Sequence, residues 1–469
     1  MDAPESLSLA DFDAIGFDMD HTLARYRMKD FLELVFNSLR RLLVEEQNFP
    51  KELLTYPFDV DFVFKCIVLD LTTGDFLKLS ENGHVLRASH GTKPLSSEQI
   101  LLRYNNAPWW GFEDVKAHRK SDRYFYFLTY FDMPASYLCA LLVDLYDRRG
   151  LYDGKLYDFL GPLFAAFRSC YSPRNFRNRS GYFFQAIEDH PERYLYEDKV
   201  VRAWLVRLRK AGKKVFFMSN SDFDFVDFVM SYIYGEDWTE LFHICIAKAC
   251  KPSFFTQPEP FRQVDWTGES EGEAVTDIRL KEPTAEVKPG TVPSKAARLM
   301  YSKGNHKQLG ELLGERVLYF GDHLVGDVAT VSRSGWHAAA VVEEMVHVTY
   351  LTGQDRPVEH VTGSHARESK FFGKFFSKAL PEAASDGAIT RDELVLSKPI
   401  LMEIAEGKQS ELANETPRTL AERELITHAL VSVCSIESLI PLDLDDPLFV
   451  PCSNSTTMLF RQSSTPLIH

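Results

Sequence analysis

Cysteine is scarce and unpatterned in this chain: seven residues (Cys66, Cys139, Cys170, Cys245, Cys250, Cys434 and Cys452), odd in number, without a CxxC pair. That spacing suggests neither a disulfide framework nor a zinc knuckle, and it predicts a reducing compartment. Long apolar runs are also missing. No window approaches roughly eighteen uninterrupted apolar residues, and "MDAPESLSLADFD" has no basic stretch leading into an apolar core, so a soluble, cytoplasmic protein with no membrane partner is expected. Basic charge is in deficit, with 53 Lys and Arg against 67 Asp and Glu and a net charge of -14. A surface of that sign excludes broad binding to a nucleic-acid backbone but leaves room for a small anion held by a few local groups. There is no internal repeat.

What the chain does have is length and ordinary globular composition. Its 469 residues, 45% hydrophobic and 26% charged, are too many for one simple core and point to two or three domains or one domain with a large insertion. The run Ala14 to Phe17 reads as a buried strand. From Asp30 onward, Phe31, Leu32, Val35, Phe36, Leu39, Leu42 and Leu43 recur at helical spacing. Strand-like runs separated by Thr73-Gly74-Asp75 and Asn82-Gly83 then predict a small meander, and Pro134 to Tyr171 is apolar at helical spacing.

Regular alternation resumes at Asp198. Val200, Val201, Trp204, Leu205 and Leu208 line one helix face with Gly212 as the stop, and "KKVFFMSNSD" is strand then loop. A helix ending at Gly314, a strand in "RVLYFGDHLVGD", a helix over Val328 to Ser334 and a buried strand from His337 to Val342 follow. Strands alternating with helices predict an α/β protein with a doubly wound parallel sheet, whose sites gather at the carboxyl ends of strands. Thr267 to Ser294 is charged, Pro/Gly-bearing and aperiodic, and is expected to be a surface loop.

Acidic and hydroxyl residues cluster where these apolar runs stop. Asp18, Asp20 and Thr22 follow Phe17, Ser219 and Asn220 follow Met218, and Asp322 and Asp327 follow Phe320, while Lys251 comes after the run Phe242 to Ala247. A strand-end carboxylate can simply cap the next helix, but capping does not call for a second carboxylate five residues on. His21 and His323 sit beside these acids and suit an orienting or packing role better than zinc ligation.

The four clusters, in this order, resemble the four motifs of the haloacid dehalogenase superfamily. "FDMDHTLARY", "FFMSNSDFDF", "KPSFFTQPEPFRQVD" and "VLYFGDHLVGD" are similar to the matching stretches of the cytosolic purine 5′-nucleotidase family within it. The resemblance implies Mg²⁺-dependent hydrolysis of a phosphate monoester, plausibly a nucleoside 5′-monophosphate. Asp18 would be the nucleophile and Asp20 the acid and base that move the proton. It implies Mg²⁺ ligation by Asp18, the backbone carbonyl of Asp20 and Asp322, with Asp327 close by. Ser219, the Asn220 amide and Lys251 would hold the phosphoryl oxygens.

The resemblance also implies a mixed α+β cap at residues 27–199, inserted after the first strand of a three-layer core made of 1–26 and 200–380. Residues 381–469 form an extension of unassigned role. Phe131 and Asp132 align with an aromatic ring and an amide that face the base, so here a carboxylate replaces the amide, and "RNRSG", Arg177 to Gly181, stands where the family carries a His-Tyr-Lys-Gly run. A different small phosphate ester as substrate, and a noncatalytic scaffold, are the alternatives; a homo-oligomer is compatible with either.

Overall fold

Residues 7–264, 271–281, 299–344, 368–375, 418–433, 435–440, 442–445 and 447–449 are described in a computed structural model. Nine strands form the main sheet: β1 (Ala14–Phe17), β2 (Lys214–Met218), β3 (Ile244–Ala247), β4 (Phe261–Val264), β5 (Glu271–Val275), β6 (Tyr301–Lys303), β7 (Val317–Gly321), β8 (His337–Val341) and β9 (Ala429–Val433). Their order across the sheet is β5-β4-β6-β3-β2-β1-β7-β8-β9. From β6 to β9 every neighbouring pair is parallel, while β4 runs antiparallel to both of its neighbours. This is the doubly wound, three-layer α/β class expected.

The centre of the sheet is dry because its strands are continuous apolar runs, as parallel strands covered on both faces must be. All four residues of β1 and all five of β7 are buried. Gly16 pairs in register with Phe216 on β2, and a Cβ at Gly16 would lie 2.1 Å from that ring, so only glycine lets the ring cross β1. The helix Lys199–Lys210 begins at Asp198, whose carboxylate accepts the Val200 and Val201 amides, and it buries Val201, Trp204, Leu205 and Leu208. Val200, expected on that face, is exposed, because it lies about a quarter-turn from the centre of the stripe.

Two other expectations are revised. Within Thr267 to Ser294, Glu271–Val275 is a strand paired antiparallel with β4. Its polar sequence shows no buried-strand pattern because it is an edge strand, held mainly by backbone pairing. The segment Val328 to Ser334 begins with a wide helical turn, Leu324–Ala329, before the short helix Thr330–Arg333.

The chain groups into two compact units. The first holds residues 1–31, 171–361 and 424–469, and the second holds 32–170 and 362–423. This grouping differs from the boundaries read from sequence: residues 171–199 pack with the sheet unit, and part of the C-terminal stretch joins each unit.

In the second unit, Lys93–Pro94, Val85–His90, Asp75–Leu79, Val68–Asp70 and Tyr124–Tyr126 form a five-stranded antiparallel sheet in that order, the expected meander with additions. The expected helical stretch is two helices, Pro134–Arg149 and Leu160–Cys170. Two fully buried carboxylates sit in this unit. Asp75 accepts two hydrogen bonds from Arg103 Nη1 (2.6 and 2.8 Å) and one from Tyr104 Oη (2.7 Å), and it lies 2.8 Å from His90 Nδ1. Asp70 accepts from the indole nitrogens of Trp109 and Trp110 and from the Thr72 amide and hydroxyl. No helix among the described residues is long and apolar enough to cross a membrane.

Candidate active site

The sheet reverses its winding between β1 and β7, since the chain proceeds from β1 towards β2 on one side and from β7 towards β8 on the other. Ligands of such sheets bind in the crevice beyond the carboxyl ends of the strands at that point. Asp18 leaves β1 there, and its amide donates to Phe320 O at 2.8 Å, which ties it to the end of β7. The carboxylates of Asp18, Asp322 and Asp327 each offer an oxygen within 4.8 Å of the others, and all three residues are buried. Gly321 makes this possible: a Cβ there would lie 2.4 Å from the Asp327 Cβ.

Lys251 enters from the loop after β3. Its Nζ lies 2.9 Å from Asp18 Oδ1 and 2.6 Å from Asp327 Oδ1, and it donates to Tyr319 Oη at 2.8 Å. Tyr319 in turn donates to Met218 O at 2.9 Å. Burial pulls the Lys251 ammonium down, but Asp18 and Asp327 outweigh it and hold it well above its usual value. Burial pushes the Asp18 carboxyl well above the carboxylate range; Lys251 opposes this, while Asp327, Asp322 and Asp20 add to it. One ammonium pairs with two carboxylates, Asp18 and Asp327, and a third, Asp322, lies beside them. A hard divalent cation with oxygen ligands fits this donor set.

Asp20 is held separately. Its two oxygens accept from Tyr26 Oη (2.7 Å) and Ser221 Oγ (2.8 Å). Burial raises its carboxyl above the usual range, and those two hydrogen bonds oppose the rise. The loop can turn back on itself because His21 adopts a left-handed backbone (φ 55°), after which the Ala24 amide donates to Met19 O. The His21 ring packs beside Tyr26 and Phe31, with Nδ1 3.5 Å from Glu343, and His323 Nδ1 accepts the Val325 and Gly326 amides. Both histidines therefore make orienting and packing contacts.

Ser219 is fully buried, and its Oγ accepts the Ser221 amide at 3.1 Å. Asn220 uses its side chain as a clamp: Nδ2 donates to Lys251 O (2.9 Å) and Oδ1 accepts from Lys251 N (2.6 Å). The structure thus brings Asp18, Asp20, Ser219, Asn220, Lys251, Asp322 and Asp327 to one end of the sheet. Phe131 and Asp132 belong to the second unit. The Asp132 carboxylate accepts the Thr129 amide at 2.9 Å and the Leu128 amide at 3.4 Å, just before the helix Pro134–Arg149, and burial pushes it up to about 7. Arg177, in the "RNRSG" stretch, donates to Asp222 at 2.7 Å and Asp224 at 2.5 Å.

Sequence reasoning missed Tyr26, Ser221 and Tyr319. Tyr26 closes the stretch "FDMDHTLARY" and Ser221 follows Asn220 directly, so proximity was the available signal. Tyr319 reads as one more apolar residue of β7, and only its buried hydroxyl beside Lys251 marks it.

Acids and a buried lysine at the switch point of a parallel sheet suit phosphoryl transfer, and the comparisons with known proteins place the chain among phosphomonoester hydrolases built on an α/β core. The chain belongs to the 5′-nucleotidase family, which it matches over residues 3–394. It is 36% identical over 356 residues to 5′-nucleotidase domain-containing protein 1 of Homo sapiens, covering 73% of this chain and 74% of the relative. The Bos taurus counterpart is 35% identical over 355 residues with the same coverage. Similarity to 5′-nucleotidase domain-containing protein 2 of Rattus norvegicus is 28% over 377 residues, covering 78% of this chain and 63% of the relative.

Proposed function

We propose that this protein hydrolyses nucleoside 5′-monophosphates in the cytoplasm, with Mg²⁺, through a phosphoenzyme on Asp18. The observation that carries this reading is the placement of Asp18 beside Asp322, Asp327 and Lys251, at the end of the central strand. Phosphate monoesters resist attack because an anion must approach a dianion, so the pocket has to neutralise the phosphoryl oxygens and hold an in-line nucleophile. Asp18, Asp322 and the backbone carbonyl of Asp20 are the groups that would hold Mg²⁺, with Asp327 behind them; when bound, the ion neutralises phosphoryl charge.

An Asp18 oxygen attacks phosphorus as the ester P–O bond breaks. Asp20 gives its proton to the leaving alkoxide and then takes one from the water that cleaves the aspartyl phosphate. A carboxyl raised by burial and still hydrogen-bonded by Tyr26 and Ser221 is suited to hold and release that proton. Lys251 and the Ser219 hydroxyl orient the phosphoryl oxygens, and the Asn220 clamp fixes the lysine's backbone.

A second reading, hydrolysis of another small phosphate ester, is favoured by Asp132, whose oxygens are spent on two backbone amides instead of facing a base. Phosphate release from a panel of nucleoside monophosphates and sugar phosphates, with and without Mg²⁺, separates the two. Release from nucleotides at least about tenfold faster in kcat/KM than from sugar phosphates is expected, and the reverse ranking would overturn the nucleotide assignment.

A further inference from the structure

Residues 418–449 lie beyond the family-matched span, which ends at 394, yet several of them build the sheet unit. Ala429–Val433 is its edge strand, parallel to β8. The short turn Ile436–Leu439 follows, and Arg207 Nη2 donates to the carbonyls of Ile440 and Leu442. This turn delivers Glu437 to Arg25, whose Nη1 donates to Glu437 Oε1 at 2.5 Å. One acidic side chain therefore joins the turn after β9 to the loop after β1.

Arg25 stands next to Tyr26, the donor to Asp20 Oδ1. Its carbonyl accepts the Tyr196 amide at 3.1 Å, and its guanidinium lies 5.4 Å from the Tyr196 ring centre. The Arg25 backbone, its guanidinium and its carboxylate partner thus pin the outgoing arm of the loop that carries Asp20. Without Glu437 the guanidinium loses its closest partner, and Tyr26 loses a fixed neighbour.

We infer that Glu437 is a positioning residue: through its ion pair with Arg25 it sets the loop Met19–Tyr26, and with it the Tyr26 hydrogen bond to Asp20. This makes the segment outside the family-matched span part of the catalytic unit. The inference rests on the reading of Asp20 as the proton-transfer group. A misplaced acid matters most when the leaving group is poor, since an aryl phosphate departs with little protonation and an alkyl phosphate does not.

The test compares the full chain with Glu437→Ala, Glu437→Gln and Arg25→Lys, using an alkyl phosphate and p-nitrophenyl phosphate, together with hydrogen exchange of the Met19–Tyr26 amides. In Glu437→Ala, kcat on the alkyl ester is expected to fall about tenfold, with KM within about twofold and a clearly smaller fall on the aryl ester. Glu437→Gln, which keeps an acceptor for Arg25, should recover most of that loss, and the loop amides should exchange faster in Glu437→Ala than in Glu437→Gln. Unchanged loop exchange in Glu437→Ala overturns the inference whatever the activity, as does an equal loss on both esters that follows only the fraction of folded protein. If Glu437→Ala does not fold, the Gln and Lys variants carry the same comparison. A wild type that turns over neither ester would instead sink the reading of Asp20, and the inference with it.

Discussion

Two regions of this protein bury carboxylates, and they treat them in opposite ways. In the second unit, Asp75 and Asp70 are saturated by protein donors: a guanidinium nitrogen that reaches both oxygens, a tyrosine and an imidazole on one, two indoles and Thr72 on the other. At the end of β1, Asp18 and Asp327 share one lysine, with the Asp322 carboxylate beside them. A buried charge is tolerated only when paired or hydrogen-bonded, so the first arrangement completes a core. The second crowds its acids around a single ammonium, and on the proposed reading the charge that completes it is supplied by Mg²⁺ and the phosphoryl ester. On that reading, stability and function fall to different buried acids.

The comparison can be broken at either end. The largest effect is expected for Asp18→Asn, which should lower single-turnover phosphate release by more than about 10³-fold while its thermal midpoint stays level or rises, because it relieves crowded like charge. Wild-type turnover in this variant would remove Asp18 from the chemistry. Asp75→Asn should do the reverse. A loss of about 3 kcal/mol in urea denaturation is expected, since it strips Arg103 of its partner in a buried network, with kcat/KM for the remaining folded enzyme unchanged.

Ligand response sharpens the contrast further. Mg²⁺ with beryllium fluoride, which mimics a phosphoryl group on a carboxylate, should stabilise the wild type by about 2.7 kcal/mol at a hundredfold excess over Kd. Asp322→Asn should abolish that shift in a thermal scan, and Asp75→Asn should leave it intact. An Asp75→Asn protein that no longer responds would show that the two sets of acids are not independent.

Per pH unit, the smallest effect concerns Asp132. Its carboxyl is held protonated up to about 7 in the fold and titrates near 3.8 when unfolded. Between these values the unfolded chain has released a proton that the native state keeps, so stability falls as pH rises through the window and levels off above it. The slope from this group is at most about 1.4 kcal/mol per pH unit. Asp132→Asn should flatten the dependence of the thermal midpoint between about pH 4 and 7, and an unchanged profile would argue that the proton is not held there.

Much of this was legible in the residues themselves. Central strands of a parallel sheet are buried on both faces, so β1, β2, β7 and β8 are written as apolar runs, and the acids at their ends mark where the chain leaves the sheet. The period of the stripe from Val201 to Leu208 likewise declares a helix. Glu271–Val275 and Ala429–Val433 were not legible as parts of this sheet, because edge strands are held by backbone hydrogen bonds that side-chain pattern does not encode. Tyr319 looked like core because a tyrosine is core apart from its hydroxyl.

By itself, then, the sequence determined the α/β class, the strand ends and the identity of the acids and the lysine, since hydrophobic periodicity and motif spacing are local properties of a chain. Only the tertiary structure decided which of those acids share a pocket and which are already satisfied. It took Asp132 for two backbone amides, gave Tyr26 and Ser221 to Asp20, and carried Glu437 across 412 positions to Arg25. Electrostatic partnership falls off with distance in space and is indifferent to distance along the chain, so it exists only once the chain has folded.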